Sequence, residues 1–330
     1  MRPLSYARAA DADSAIAIVH DNRDSAFLAG GTTEVDLLRQ NVVRPGLLVD
    51  INDLPLNHVE DLTGGGLRIG ALARMNDVAR ARGVVERFPL ISQALLLGAS
   101  AQLRNMASMG GNLCQRVRCS YFRDPTSACN KREPGSGCAA LNGYNRGHAI
   151  LGTSDKCIAT HPSDVAVALV ALDAIVHSRG PAGARATPID DFFLLPGDTP
   201  ERENSLEHGE LITAIEVPAT PVARRSVYLK VRDRESYEFA LVSVAAAARI
   251  EDGAVAEVRL ALGGVGTKPW RARRAERSLL GRPAEEASFA EAASHELALA
   301  KPKPLNAFKV TLAQRAIIRA MTTLLNGDGR

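Results

Sequence analysis

The sequence predicts an α+β protein, with α/β structure in front and a small domain of antiparallel strands and helices behind. Two observations predict it. Short apolar runs alternate with helix-compatible segments through the first fifty residues. Near the end, two apolar runs meet at Asp252-Gly253, a type I′ hairpin signal, and helical segments follow. A third observation lies between them: from about residue 114 to residue 157 neither the helix period nor the strand period is present.

In order along the chain, Asp11 or Asp13 can cap a helix through Ala15–Val19. The run Ala26-Phe27-Leu28-Ala29 reads as a strand ending in Gly30-Gly31-Thr32-Thr33, and Glu34–Leu38 as helix. Leu47–Ile51 and Leu67–Ala71 read as strands, the second preceded by a turn at Gly64-Gly65-Gly66. Apolar recurrence makes 75–103 helical, and Ser108–Leu113 is a glycine turn. Ser163 caps a helix over Val165–Leu172, and Ala174–Ser178 is a strand. Residues 180–210, rich in proline and acids, read as loop. Strands follow at Leu211–Val217 and Ser226–Val231, then the hairpin Ala240–Ile250 with Ala254–Leu262. Helices near Ala284–Ala300 and Ala307–Leu325 close the chain.

A chain of 330 residues exceeds what one core usually fills, so two or three subdomains are expected. The net charge of +3 is too small, and the basic residues too scattered among acids, for a nucleic-acid binder. No apolar run reaches the roughly 20 residues of a bilayer span, and Met1–Tyr6 lacks the apolar core of a secretory signal. All five cysteines, Cys114, Cys119, Cys129, Cys138 and Cys157, fall in one short stretch. Intracellular chains rarely hold disulfides, so this grouping favours metal or redox use.

Glycine turns suit a dinucleotide because a Cβ blocks close approach of backbone N–H groups to the linked phosphates. Two occur here, Ala29-Gly30-Gly31-Thr32-Thr33 and Met109-Gly110-Gly111-Asn112, each with hydroxyl or amide side chains beside it (Thr32, Thr33, Ser108, Asn112). Taken singly, each is equally an ordinary tight turn. The Rossmann fingerprint is absent, since Ile69 and Pro269 stand where its third glycine is needed.

These turns belong to a longer series. It continues with Leu67-Arg68-Ile69-Gly70-Ala71, Thr160-His161-Pro162-Ser163-Asp164, Gly209-Glu210-Leu211-Ile212, Ile215-Glu216-Val217-Pro218 and Lys230. The series resembles, in collinear order over nearly the whole chain, the FAD-binding subunit of the molybdenum hydroxylases, the family of xanthine dehydrogenase and carbon monoxide dehydrogenase. The resemblance implies the FAD-binding fold of p-cresol methylhydroxylase, with two α/β subdomains at 1–55 and 56–220, and a small C-terminal domain at 221–330. It implies that Ala29, Gly30, Gly31, Thr32 and Thr33 hold the FAD pyrophosphate from one side, and Ser108, Gly110, Gly111 and Asn112 from the other. Asp164 then bonds the cofactor near its ribityl chain, Ile212 lies beside the isoalloxazine, and Lys230 stands near its pyrimidine edge. A cation there stabilises negative charge on the reduced flavin. Without the resemblance, Asp164 reads as a helix N-terminal acid and Lys230 as a surface strand lysine.

In most of that family a few residues separate the glycine turn from the Ser-Asp motif; here an insertion at 114–158 intervenes. So long a segment without helix or strand period needs another source of order, because burial alone does not offset its conformational entropy. Four thiolates on one metal centre supply it. The insertion resembles that of 4-hydroxybenzoyl-CoA reductase and, more closely, of the bacterial periplasmic aldehyde oxidoreductases. Arg118-Cys119-Ser120-Tyr121-Phe122, Cys129-Asn130-Lys131-Arg132, Pro134–Ala140 and Cys157–Asp164 carry the likeness. It implies a [4Fe–4S] cluster on Cys119, Cys129, Cys138 and Cys157, with Cys114 a buried thiol outside the set. Structural zinc is the rival, since it also takes four cysteines. Gly135 and Gly137 are placed to offer N–H groups to cluster sulfurs. Arg116, Arg118, Lys131 and Arg132 either offset cluster charge or belong to a solvated loop.

The resemblance implies an electron-transfer subunit of a heterotrimeric aldehyde oxidoreductase. A large partner then holds the molybdenum cofactor, a small partner carries [2Fe–2S] clusters, and an external acceptor takes the electrons. It places the complex in the periplasm, exported by a partner's signal, with the cytoplasm as the alternative. No residue of this chain is then catalytic toward the aldehyde. The other readings are a self-contained FAD oxidase, a flavin subunit of a hydroxybenzoyl-CoA reductase-like enzyme, and a metal-stabilised binding module.

Overall fold

The computed structural model describes residues 2–327, arranged about three sheets. Strands β1 (Ser5–Arg8), β2 (Ser25–Leu28) and β3 (Leu47–Asp50) form a parallel sheet in the order β1-β3-β2. Parallel strands need crossovers, and the helix Ala12–Asp21 supplies the first. Of the two candidate caps, Asp11 is used. Its carboxylate accepts from the Ser14 N–H at 2.7 Å while the Ser14 hydroxyl accepts from the Asp11 N–H, closing a capping box.

The second sheet is antiparallel, built from β4 (Val59–Asp61), β5 (Leu67–Gly70), β6 (Ile175–Gly180), β7 (Gly183–Pro188) and β8 (Leu211–Val217) in the order β4-β5-β8-β6-β7. Part of 180–210 is therefore not loop: β7 and the helix Ile189–Phe192 lie there. As an edge strand with a mostly exposed Gly-Ala-Arg-Ala-Thr-Pro sequence, β7 has no apolar alternation to reveal it. The helical region 75–103 is four helices, Met75–Arg80, Arg82–Arg87, Pro89–Leu97 and Ala101–Met106. Extended Ala81, Pro89 at a first turn, and left-handed Ala99 (φ 51°) make the breaks. Their apolar positions still share one core, in which Met75, Val78, Leu90, Ile91 and Leu95 are buried.

The third sheet, β9 (Ser226–Val231), β10 (Val242–Glu251), β11 (Ala254–Gly263) and β12 (Trp270–Arg271), is antiparallel in the order β12-β11-β10-β9. Asp252 (φ 49°) and Gly253 (φ 75°) both take the left-handed region that a type I′ hairpin demands. Alternate residues of β10 enter different cores. Val242, Val244, Ala246 and Ala248 pack with helices Arg273–Leu279, Glu286–Leu297 and Phe308–Leu325, whereas Ala245 joins Tyr228 in the core of the preceding unit. The sheet is thus buried on both faces, which brings one face of β9 against the N-terminal part of the molecule. None of the helices described is long and apolar enough to cross a membrane.

Candidate functional site

A cavity of about 790 Å³ lies where the three sheet-bearing units meet. That volume falls within the range of roughly 300–1,000 Å³ usual for small-molecule and cofactor sites. Its wall contains Ala29, Gly30, Gly31, Thr32 and Thr33 from the end of β2, and Ser108, Gly110, Gly111 and Asn112. Asp164, Ile212 of β8 and Lys230 of β9 complete the wall. Residues up to two hundred positions apart in sequence thus face one space.

The two corners differ. At the first, Gly31 is left-handed (φ 68°), and a Cβ on Gly30 would fall on the Met106 carbonyl oxygen. Among the described residues, none of the N–H groups of Gly30, Gly31, Thr32 and Thr33 donates to a main-chain or side-chain acceptor. Buried N–H groups are rarely left without an acceptor, so this row of donors fits an anion such as a diphosphate. The second corner is not a simple turn but a short helix, Met109–Leu113, capped by Ser108. Several of its donors are already engaged: Gly110 N–H with Ala71 O at 2.7 Å, and Gly111 N–H with Ser108 Oγ at 3.2 Å. A Ser-x-x sequence entering a helix is an N-cap pattern, and the glycines masked it. Gly110 still matters for space, since a Cβ there would meet the Ala71 Cβ at 3.0 Å.

At the other end, Lys230 Nζ donates to Asp164 Oδ2 at 2.8 Å and to Leu97 O at 3.0 Å. The Tyr228 hydroxyl donates to Asp164 Oδ1 at 2.8 Å. Burial pushes the Asp164 carboxyl above its ordinary value while Lys230 pulls it down. Lys230 is no surface lysine, for its side chain is 1% exposed. Sequence reasoning missed Tyr228, although the strand period puts it on the same face as Lys230. Also missed along the cavity wall are Arg118, Tyr237 and Phe239.

A second, much smaller cavity, about 10 Å³, is bordered by Cys119, Cys129, Cys138 and Cys157 together. All five cysteines are free. Cys114 lies apart, on the wall of the large cavity, its thiol pushed up to about 12 by burial. Burial likewise raises Cys119, to about 12, and raises Cys138 and Cys157. Among the described residues, no three Cys, His, Asp or Glu side chains are grouped as ligands of a single metal ion. A mononuclear zinc site, with each sulfur about 2.3 Å from one centre, is therefore not formed by this arrangement. His148, unremarked in the sequence, places Nε2 3.2 Å from Cys119 Sγ.

The cations of the insertion have specific partners. Arg116 and Lys131 pair with Glu203, at 2.5 and 3.0 Å, and Arg132 donates to the Tyr121 and Phe122 carbonyls. Arg118 points into the large cavity. Burial, then Arg123, lowers its guanidinium to about 10. Gly135 and Gly137 are left-handed, and the Gly137 N–H is taken by Asn130 Oδ1 at 2.8 Å.

A cavity of this volume, with a row of free N–H groups at one end and a buried acid–lysine pair at the other, suits a dinucleotide cofactor. Residues 2–220 match the family described as the FAD binding domain in molybdopterin dehydrogenase, and residues 227–324 match the CO dehydrogenase flavoprotein C-terminal domain. The chain belongs to the FAD-binding medium subunits of the molybdenum hydroxylases, and is an oxidoreductase subunit. It is 48% identical to the aldehyde oxidoreductase FAD-binding subunit PaoB of Escherichia coli, over 88% of each chain. It is 30% identical to the glyceraldehyde dehydrogenase medium chain of Sulfolobus acidocaldarius, over 84% of this chain and 82% of that one. Among solved structures, carbon monoxide dehydrogenase from Hydrogenophaga pseudoflava superposes with a TM-score of 0.77 at 24% identity, covering 98% of both chains. The expected fold is thereby found.

Proposed function

We propose that this chain is the FAD- and [4Fe–4S]-binding electron-transfer subunit of a molybdenum-dependent aldehyde oxidoreductase. The observation that carries the proposal is a pair of cavities, linked through the consecutive residues Arg118 and Cys119. One is walled by all twelve residues expected to meet the flavin, and the other is bordered by the four expected thiol ligands. The 48% identity to an aldehyde oxidoreductase subunit supports the aldehyde as substrate class of the complex.

The large cavity suits FAD, and the four thiols around the small one are candidates for the cluster. FAD, when bound, supplies two-electron storage. The free N–H row at Gly30–Thr33 would receive its diphosphate, and the buried Asp164–Lys230–Tyr228 set would orient polar atoms at the flavin end. Lys230 is held in place there by Leu97 O and Asp164. A [4Fe–4S] cluster, when bound, supplies one-electron transfer and is held by four cysteine thiolates. Cys119, Cys129, Cys138 and Cys157, which border one small space, are the candidate holders. Metal coordination removes the protons that burial otherwise retains on Cys119, Cys138 and Cys157.

On this reading the partners are a large molybdenum-cofactor subunit and a small [2Fe–2S] subunit. The complex resides in the periplasm, carried there by a partner's export signal. Co-purification with iron, sulfide and flavin analysis tests partners and cofactors together. About four irons, four sulfides and one FAD per chain are expected. A preparation that contains zinc and lacks iron and sulfide would overturn the cluster. Aldehyde oxidation by the isolated chain would instead favour the self-contained oxidase.

A further inference from the structure

Arg118 directly precedes Cys119, yet its guanidinium belongs to the other cavity. Nη2 donates to Thr33 Oγ1 at 3.1 Å, the last residue of the first glycine corner, and the guanidinium carbon lies 4.9 Å from the Phe239 ring centroid. Its Nε is buried and has no hydrogen-bond partner among the described residues. Its nearest acid is Asp36, 3.8 Å away, and that carboxylate is engaged more closely by Arg123. Two cations therefore share one anion. The surplus positive charge stands on the cavity wall, where the contact to Thr33 sets it beside the unpaired N–H groups of Gly30–Thr33. A buried cation without its full complement of acceptors is costly unless a ligand completes it.

We infer that Arg118 is a dinucleotide-binding residue supplied by the cysteine insertion, its guanidinium meeting the diphosphate of FAD beside Thr33. The inference rests on the FAD reading above and adds a dependence between the two cofactors. The loop that the four thiols organise also furnishes part of the flavin's grip. Ordering of that loop around Cys119 sets where Arg118 stands, so loss of the metal centre loosens the diphosphate site as well.

The test uses the complex purified with its partner subunits. FAD is removed, and the dissociation constants of FAD and of riboflavin, which lacks both phosphates, are measured by flavin fluorescence for wild type, Arg118→Ala and Arg118→Lys. Iron and sulfide are assayed in each. Arg118→Ala leaves Asp36 paired with Arg123, so the local fold has no unpaired acid to accommodate. Expected are FAD binding weakened about tenfold or more, unchanged riboflavin binding, unchanged iron, and partial recovery with lysine, whose charge lacks the planar fork. Unchanged FAD affinity, equal weakening for riboflavin, or weakening only where iron is also lost would each overturn the role of Arg118. A wild-type complex that binds no FAD would overturn the flavin reading itself, and the inference with it.

Discussion

At Asp164 a carboxylate, an ammonium and a phenol are buried together, and each supports the others. The Lys230 side chain is almost wholly buried, so removing its partner leaves a poorly solvated charge. Asp164→Asn is expected to cost about 3–5 kcal/mol of stability, read from the midpoint of a urea titration. A smaller loss, within the range of a surface substitution, would mean that the pair is solvated. Glu203 allows a pH prediction. Burial raises its carboxyl, but Arg116 and then Lys131 outweigh burial and hold it below the ordinary glutamate value. A depressed acid contributes stability that is complete above its unfolded value and is lost as pH falls through the folded one. Thermal midpoints followed downward from about pH 5 should therefore drop more steeply in wild type than in Glu203→Gln. Parallel curves would remove Glu203 from the account. Asp164 and Lys230 were legible as site positions from the resemblance. Glu203 was not, because a single acid in a polar stretch carries no pattern until Arg116 and Lys131 are seen around it.

The elements that matter most are the first glycine corner and the insertion. Gly30 allows the corner to lie against Met106, so Gly30→Ala must displace backbone rather than a side chain. A destabilisation of about 1–3 kcal/mol with loss of bound flavin is expected, measured by thermal shift and flavin release. In the insertion the cysteines have unequal roles. Cys119→Ser, Cys129→Ser, Cys138→Ser and Cys157→Ser should each lower iron from about four per chain to near zero, while Cys114→Ser keeps it. Iron retention in the first four, or iron loss in the fifth, would redraw the ligand set. Helix breaks at Ala81 and Ala99, and edge strand β7, escaped sequence reading. The backbone choices there are made by packing against neighbours, not by local preference.

Across the whole molecule, the large cavity depends on a C-terminal sheet buried on both faces, which sets β10 and β11 against the helix Asp164–Ala171 and β9 against the helix Pro89–Leu97. Lys309 and Asn306 fasten the same domain to the insertion. The ammonium of Lys309 donates to the Gly147 and Gly264 carbonyls, and the Asn306 amide to those of His148 and Ala149. Burial, then Arg146, lowers Lys309 in this clasp to about 7, so the folded protein releases this proton before the unfolded chain does, and stability rises as pH climbs from that value toward the ordinary lysine range. Faster amide exchange over residues 147–150 in Lys309→Met than in wild type is the expected sign. Equal exchange would make the clasp incidental.

The sequence alone determined the classes of element, the Asp252-Gly253 hairpin, the two glycine corners and the concentration of thiols. Each of these is a short-range pattern of chirality, period or composition. Only the tertiary structure decided that the second corner is a capped helix, that Arg118 lines the large cavity, and that four thiols border one space while Cys114 faces another. Those facts depend on which surfaces meet, and burial and pairing across dozens of residues leave no periodic trace in the chain.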